Sequence, residues 1–218
     1  MKKENIFRNT KNWYLDKSNY TSQSLIKFTV NNAGTNILDV GCATGEYCQK
    51  LNGLGFKCVG VDVNPEYIAR AKKSGVKAYV INGKSLNLTD NSFDTALLFE
   101  VLEHVKYPDI ILEEVKRIAK KNVLITVPNC SAFFTLKRFG LTYEHMLEKD
   151  HINFFTKKDM EDLLSKHFKK FRVEEREPLT FGVIGLPWWV RYPILVLQRL
   201  KLIKREIYYR LYAVAEVK

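Results

Sequence analysis

The stretch NILDVGCATGEYCQKL, residues 36–51, places an acid, Asp39, at the end of an apolar run and follows it with Gly41 and Gly45. NILDV is rich in apolar residues and does not alternate with polar ones in the way a half-exposed strand does, so it reads as a strand covered on both faces. GEYCQKL then opens a helix, so the glycines fall in a tight strand-to-helix turn where a ligand can approach the backbone closely. A turn built for a dinucleotide spaces its glycines as G-x-G-x-x-G and rests a pyrophosphate on the helix N-terminus. Here the glycines are four residues apart, Ala43 stands between them and an acid precedes them. An acid repels a pyrophosphate and attracts a cation.

Outward from this turn, strand-like and helix-like segments alternate. NILDV, KCVGVDV, KAYVI, FDTALLF and NVLITVP read as strands, with helices over Glu46–Leu54, Pro65–Ser74 and roughly Tyr107–Lys120. Asn64 followed by Pro65 is a helix start, an N-cap ahead of a proline in the first turn. A helix around Ser22–Asn32 precedes the sheet. After Val127, PNCSAFFTLKRFGLTYEHMLEKDHINFF reads as a long loop or lid with one short helix. TKKDMEDLLSKHF is a helix capped by Thr156 and Asp159, with an apolar stripe of Met160, Leu163, Leu164 and Phe168. KKFRVEEREP and YRLYAVAEVK alternate as two final strands able to pair as an edge hairpin. The expected fold is α/β, a doubly wound, mostly parallel sheet of seven strands with a carboxy-terminal lid and insert, in one domain over residues 1–218.

The 218 residues are 46% hydrophobic and 27% charged, the composition of a globular chain with a substantial core. The amino-terminal MKKENIFRNTKNWYLDK lacks the apolar centre of a signal peptide, and Cys42, Cys48, Cys58 and Cys130 show no C-x-x-C spacing. Both features lead us to expect reduced thiols and a cytoplasmic location. The net charge is +11, and it is uneven: residues 1–110 hold 14 basic and 11 acidic residues, and residues 111–218 hold 21 and 13. The basic excess of the second half suits an anionic partner or simple solubility.

KCVGVDV ends in Asp62, 17 residues beyond Gly45, where folds of this type accept hydrogen bonds from a ribose. A ligand with a ribose and a positive charge but no pyrophosphate has the description of S-adenosylmethionine. At this point ILDVGCATGEY, GVDVNPEYI, DNSFDTALLFEVLEHV and VLITVPN together resemble successive motifs of the class I S-adenosylmethionine-dependent methyltransferases, over about Asn36 to Phe168. The resemblance implies that Asp39, Gly41, Cys42, Ala43 and Gly45 line the methionine end of S-adenosylmethionine. It also implies that Asp62 holds the ribose hydroxyls and that Val63 lies against the adenine. Asn82, with Gly83 and Lys84, stands where the family often has an acid for the adenine amino group, and Ala43 replaces the usual middle glycine. Phe99 and Glu100 are implied to reach the methyl-donating end.

Methyl transfer asks the protein to align nucleophile and methyl and to exclude water. An oxygen nucleophile also needs a base, because a phenol-like hydroxyl with a pKa of ~10 is mostly protonated at neutral pH. EVLEH replaces the D/N-P-P-Y/F motif common in nucleobase amino methyltransferases, which argues against base methylation. Read as a helical turn, it sets Glu100, Glu103 and His104 on one face. Some similar enzymes of quinone and small-RNA modification use such a cluster with magnesium, others share the string without one, and no metal is assigned. In YEHMLEKDHINFFT, His145 and His151 precede the last helix; a similar His-x-x-x-Phe-Thr run occurs in methyltransferases of glycan and lipid biosynthesis. Glu100, His104 and His151 are the candidate catalytic residues.

The insert between the final strands, residues 178–207, is the oddest composition in the chain. From Leu186 to Arg205 it carries Arg191, Arg199, Lys201, Lys204 and Arg205 with no acid, beside Trp188, Trp189 and Tyr192. Its longest uncharged run is too short to span a bilayer. Aromatic and basic residues around a short apolar segment suit a membrane–water interface, with a pocket lid as the alternative. No RNA-binding module accompanies it, which places nucleic acid behind a lipid surface as partner. The expected activity is O-methylation of a sugar, a lipid-linked glycan or a quinone-like small molecule, peripheral to the membrane. RNA methylation and cofactor binding without turnover are the alternatives.

Overall fold

The computed structural model describes residues 21–82, 85–132, 150–179, 188–200, 202 and 207–217. Its strands are β1 (Asn36–Val40), β2 (Lys57–Asp62), β3 (Ala78–Val80), β4 (Phe93–Phe99), β5 (Ala119–Pro128), β6 (Lys170–Leu179) and β7 (Ile207–Glu216). They form one sheet in the order β3-β2-β1-β4-β5-β7-β6. The first five pair in parallel, and β7 runs antiparallel between β5 and the edge strand β6. The helices are α1 (Gln23–Asn32), α2 (Glu46–Gly53), α3 (Pro65–Lys73), α4 (Pro108–Ile118), α5 (Lys157–His167) and α6 (Trp188–Arg199). Strand order reverses at β1, which has β2 on one side and β4 on the other. The crevice above its carboxyl end is where open α/β sheets take ligands.

Side chains alternate faces along a strand, and this decides which residues meet. Leu38, Val40, Ala96, Leu98, Val123 and Ile125 point into one core with residues of α4 and α5. Ile37, Leu97, Phe99, Leu124 and Tyr212 point into the other, with α1, α2 and α3. Each fully buried Leu or Ile contributes about 1.5–3 kcal/mol, so a one-residue slip that exposed either set is excluded. The same alternation sends Asp39 to the side of Ile37, and Asp62 to the side of Cys58.

Local signals act as expected at two helix starts. Asn64 accepts from the backbone N–H groups of Glu66 and Tyr67. Thr156 and Asp159 form a reciprocal capping box, Thr156 accepting from the Asp159 N–H and Asp159 from the Thr156 N–H. Two boundaries differ from expectation. Helix α4 stops at Ile118 rather than Lys120, because Ala119 already pairs with Phe93 as β5 begins, with a bulge before Thr95. The ends assigned to the insert belong to the sheet, since Pro178 pairs with Tyr208 and Leu179 with Ile207. Most of the expected lid, including His145, lies outside the described residues, as do Gly83 and Lys84. Residues 150–155 form no helix; Phe155 makes an isolated parallel bridge to Asn129.

Candidate active site

The turn after β1 is built from left-handed backbone. Gly41, Ala43 and Gly45 have φ of +78°, +45° and +80°. At two of these positions space as well as conformation demands glycine. A Cβ on Gly41 would lie 2.8 Å from Val101 Cγ2, and one on Gly45 would lie 2.9 Å from Ala71 Cβ. The turn is thus pressed against α3 on one side and the segment after β4 on the other. Ala43 tolerates its positive φ because its N–H donates to Asp62 Oδ2 at 2.9 Å. Asp62 Oδ1 accepts from Asn64 N–H at 2.9 Å, so one carboxylate ties the turn to the end of β2.

Gly60 was missed in the sequence. A Cβ there would lie 2.5 Å from Cys42 Sγ, so glycine in mid-strand lets the Cys42 thiol tuck against β2. Cys42 is buried, its N–H donates to the Val61 carbonyl and its carbonyl accepts from the Gly45 N–H. Cys48 and Cys58, 2.6 Å apart at sulfur, complete a thiol layer under the turn. Their donor atoms and the Asp39 carboxylate lie within 4.8 Å of one another, a grouping the sequence spacing conceals. All four cysteines are free thiols, as expected.

Asp39 is 3% exposed, and its carboxylate accepts from the Cys48 thiol at 3.7 Å. Among the described residues it forms no ion pair. Burial, with Asp62 adding repulsion against the Cys48 hydrogen bond, pushes its pKa up from 3.8 to about 7. Burial also raises Asp62, against the backbone hydrogen bonds that favour its ionised form. Two buried acids face one turn, a site short of positive charge.

Past β4 the sequence expectation needs correction. Glu100 has φ +54°, and the helical turn that follows, a single 3-10 turn, spans only Leu102–His104. Glu100 therefore leaves the face shared by Glu103 and His104. Its carboxylate accepts from Thr126 Oγ1 at 3.0 Å and pairs with Arg210 Nε at 3.2 Å. Arg210 reaches on to Glu177 at 2.6 Å, and Glu177 accepts from the Tyr212 hydroxyl at 2.5 Å. Glu177 also sits at positive φ, +59°. Burial opposes the Arg210 charge, but Glu100 and Glu177 outweigh it and raise the guanidinium pKa. Phe99 is buried against Tyr47 and Phe28, so aromatic rings wall this end of β4.

The place left by Glu100 is taken by His151. Donor atoms of Glu103, His104 and His151 lie within 4.8 Å of one another, a set that can hold a divalent ion. The two imidazoles meet edge to face, 4.7 Å between centroids. His104 Nδ1 lies 3.1 Å from the Asp150 carbonyl oxygen, which only accepts. In a neutral imidazole this contact favours the tautomer with its proton on Nδ1. Backbone bonds hold the pair: Ile152 and Asn153 N–H both donate to the Glu103 carbonyl, and Asn153 Nδ2 donates to the Leu102 and Val105 carbonyls. Asn153 was not a sequence candidate. Only the folded chain shows it stapling His151 to the β4 turn. Asn82 accepts weakly from Ser85 N–H at 3.4 Å, and Val63 packs partly buried beside the first core.

Residues 14–167 match the family described as "Methyltransferase domain". The chain belongs to that family. An uncharacterised protein of Methanocaldococcus jannaschii is 29% identical over 135 residues, covering 59% of this chain and 62% of its own. The ubiquinone biosynthesis O-methyltransferase of Xanthomonas oryzae pv. oryzae is 31% identical over 121 residues, 51% of each chain. The chain thus spans about half to three-fifths of the length of these curated relatives. A SAM-dependent methyltransferase from Archaeoglobus fulgidus superposes with a TM-score of 0.65 at 17% identity, covering 88% of this chain and 91% of the other. That likeness establishes a shared fold.

For a methyltransferase, the observed site fits S-adenosylmethionine, the methyl donor expected from the sequence. Among the described residues Asp39 and Asp62 form no ion pair, and a ligand with ammonium and sulfonium charges would bring the cation this turn lacks. The methyltransferase turn also makes a pH prediction. In the free protein Asp39 is protonated below about pH 7. Because its folded pKa is raised, its contribution to stability is fully present below 3.8 and lost as pH rises through about 7. A bound cation favours the carboxylate, so binding releases a proton at about pH 6 and little above about pH 8. Calorimetry with S-adenosylhomocysteine, which keeps the ammonium, in phosphate and in Bis-Tris at about pH 6 will show heats that differ with buffer. Equal heats would refute the raised pKa.

Proposed function

We propose that this chain transfers a methyl group from S-adenosylmethionine to a hydroxyl of a small-molecule acceptor. The observation that carries this reading is the edge-to-face His104–His151 pair at the end of β4, with His104 Nδ1 held 3.1 Å from the Asp150 carbonyl oxygen. When bound, S-adenosylmethionine supplies an electrophilic methyl carbon on a sulfonium. An acceptor hydroxyl that took this methyl would give up its proton, and the His104–His151 imidazole pair would receive it. Val101, three residues before His104, packs against Gly41 of the proposed cofactor turn. Glu100, engaged by Thr126 and Arg210, orients the wall of the site rather than taking the proton.

Sugars, lipid-linked glycans and quinone-like rings all present such hydroxyls. The Xanthomonas relative, an O-methyltransferase of ubiquinone biosynthesis, favours a quinone-like phenol. Such an acceptor has the high pKa that makes a base useful. Labelled-methyl assays against catechols, hydroxylated quinone precursors and sugar acceptors test the reading. His104→Ala is expected to lower kcat about a hundredfold with cofactor affinity unchanged. Full turnover in that variant would end the proton-transfer assignment. A rate lost to EDTA and restored by magnesium would reassign Glu103, His104 and His151 to an ion.

A further inference from the structure

Helix α6 turns its apolar side outward. Trp188, Trp189 and Tyr192 are 79%, 64% and 68% exposed, and Val196, Leu197, Leu200 and Leu202 beside them are exposed as well. At 3.6 residues per turn Trp188, Trp189, Tyr192 and Val196 fall within an arc of about 100°. Val190 and Ile194, on the other side, are half-buried. A surface helix of a globular protein shows the reverse, with its apolar stripe facing the core. Half of the exposed large hydrophobic residues described in the chain lie in this one segment. It carries no acid from Leu186 to Arg205 and five basic residues, and the exposed Arg199 stands within the outward arc.

We infer that α6 docks the enzyme on an anionic phospholipid bilayer, lying in the interface with its tryptophans and tyrosine at headgroup depth. Charge selects this occupant. A segment with five basic residues and no acid is complementary to anionic headgroups, and the exposed Arg199 in the outward arc is worth roughly 1 kcal/mol near such a surface. Tryptophan and tyrosine are the rings that settle at a membrane–water boundary. No described helix is long and apolar enough to cross a membrane, and α6 has 12 residues, so the contact lies on the surface. A peripheral helix of this kind binds through its buried apolar face and its attraction to anionic lipid together. The inference stands apart from the choice of methyl acceptor, since it concerns a surface helix outside the catalytic cluster.

Co-sedimentation of the full chain with phosphatidylcholine vesicles, with and without phosphatidylglycerol, tests the inference. The chain is expected in the pellet with the anionic vesicles, less so as salt rises, and in the supernatant with pure phosphatidylcholine. Trp188→Ala combined with Trp189→Ala, at exposed positions that leave folding intact, is expected to weaken partition at least about tenfold. Arg199→Glu is expected to weaken it roughly thirtyfold. S-adenosylhomocysteine affinity, measured by calorimetry, should stay the same in both variants. Wild-type protein that ignores both vesicle types would overturn the inference. So would unchanged partition of the tryptophan variant, or a dimer or an RNA complex that the same substitutions abolish while vesicle binding is absent.

Discussion

Asp62→Ala is expected to lower the affinity for S-adenosylhomocysteine by about a hundredfold to a thousandfold. The magnitude follows from what the carboxylate does. Both oxygens accept backbone N–H groups, from Ala43 and Asn64 at 2.9 Å, and so fix the turn proposed to hold the cofactor. The remaining lone pairs are those available to ribose hydroxyls, and hydrogen bonds to a charged group contribute about 1.5–3 kcal/mol each. Removing the carboxylate loses the ligand contacts and frees the Ala43 N–H from its partner, in a turn already held at positive φ. Asp62→Asn separates the two losses, because its carbonyl oxygen can keep one backbone bond while the anion is gone. Titration calorimetry on folded protein reads the result, with circular dichroism to confirm the fold. Affinity within threefold of wild type in the alanine variant would place the cofactor's ribose elsewhere.

Arg210→Met is expected to cost about 3 kcal/mol of stability, a fall in Tm of roughly 6–12 °C. The methionine fills a similar volume, so packing changes little. What is lost is the cation that pairs both Glu100 and Glu177, whose side chains are 19% and 22% exposed beside an Arg210 at 17%. Two carboxylates left facing each other away from water must repel, rearrange or take up a proton. Arg210→Lys keeps the charge without the fork that reaches both acids, and should recover part of the stability. A network that only braces the fold would leave methyl transfer unchanged at temperatures where the variant stays folded. We expect kcat to fall there as well, because Glu100 lies between β4 and the turn carrying His104. Thermal unfolding and rate measurements on both variants decide this, and a Tm within 2 °C of wild type for the methionine variant would refute the network's weight.

The turn after β1 was legible in the sequence because its determinants are local. Gly41, Ala43 and Gly45 act through backbone conformation within one turn, Asp39 stands near the end of the strand before it, and Asp62 stands at a fixed distance along the next strand. The alternation of short apolar strands with capped helices likewise dictated the parallel sheet. The catalytic half was not legible in the same way. EVLEH promised a helical face bearing Glu100, and one residue at positive φ removed it from that face. Arg210, Glu177 and Tyr212 are far from Glu100 along the chain, and they meet it only because β7 inserts between β5 and β6. His151 joins Glu103 and His104 through backbone bonds and the Asn153 staple, neither of which leaves a periodic trace. The sequence by itself determined the elements and the cofactor turn, since these follow from short-range sterics and hydrophobic periodicity. Tertiary structure alone decided which acids and imidazoles share a site, because strand order and the direction of single residues set distances between groups remote in the chain.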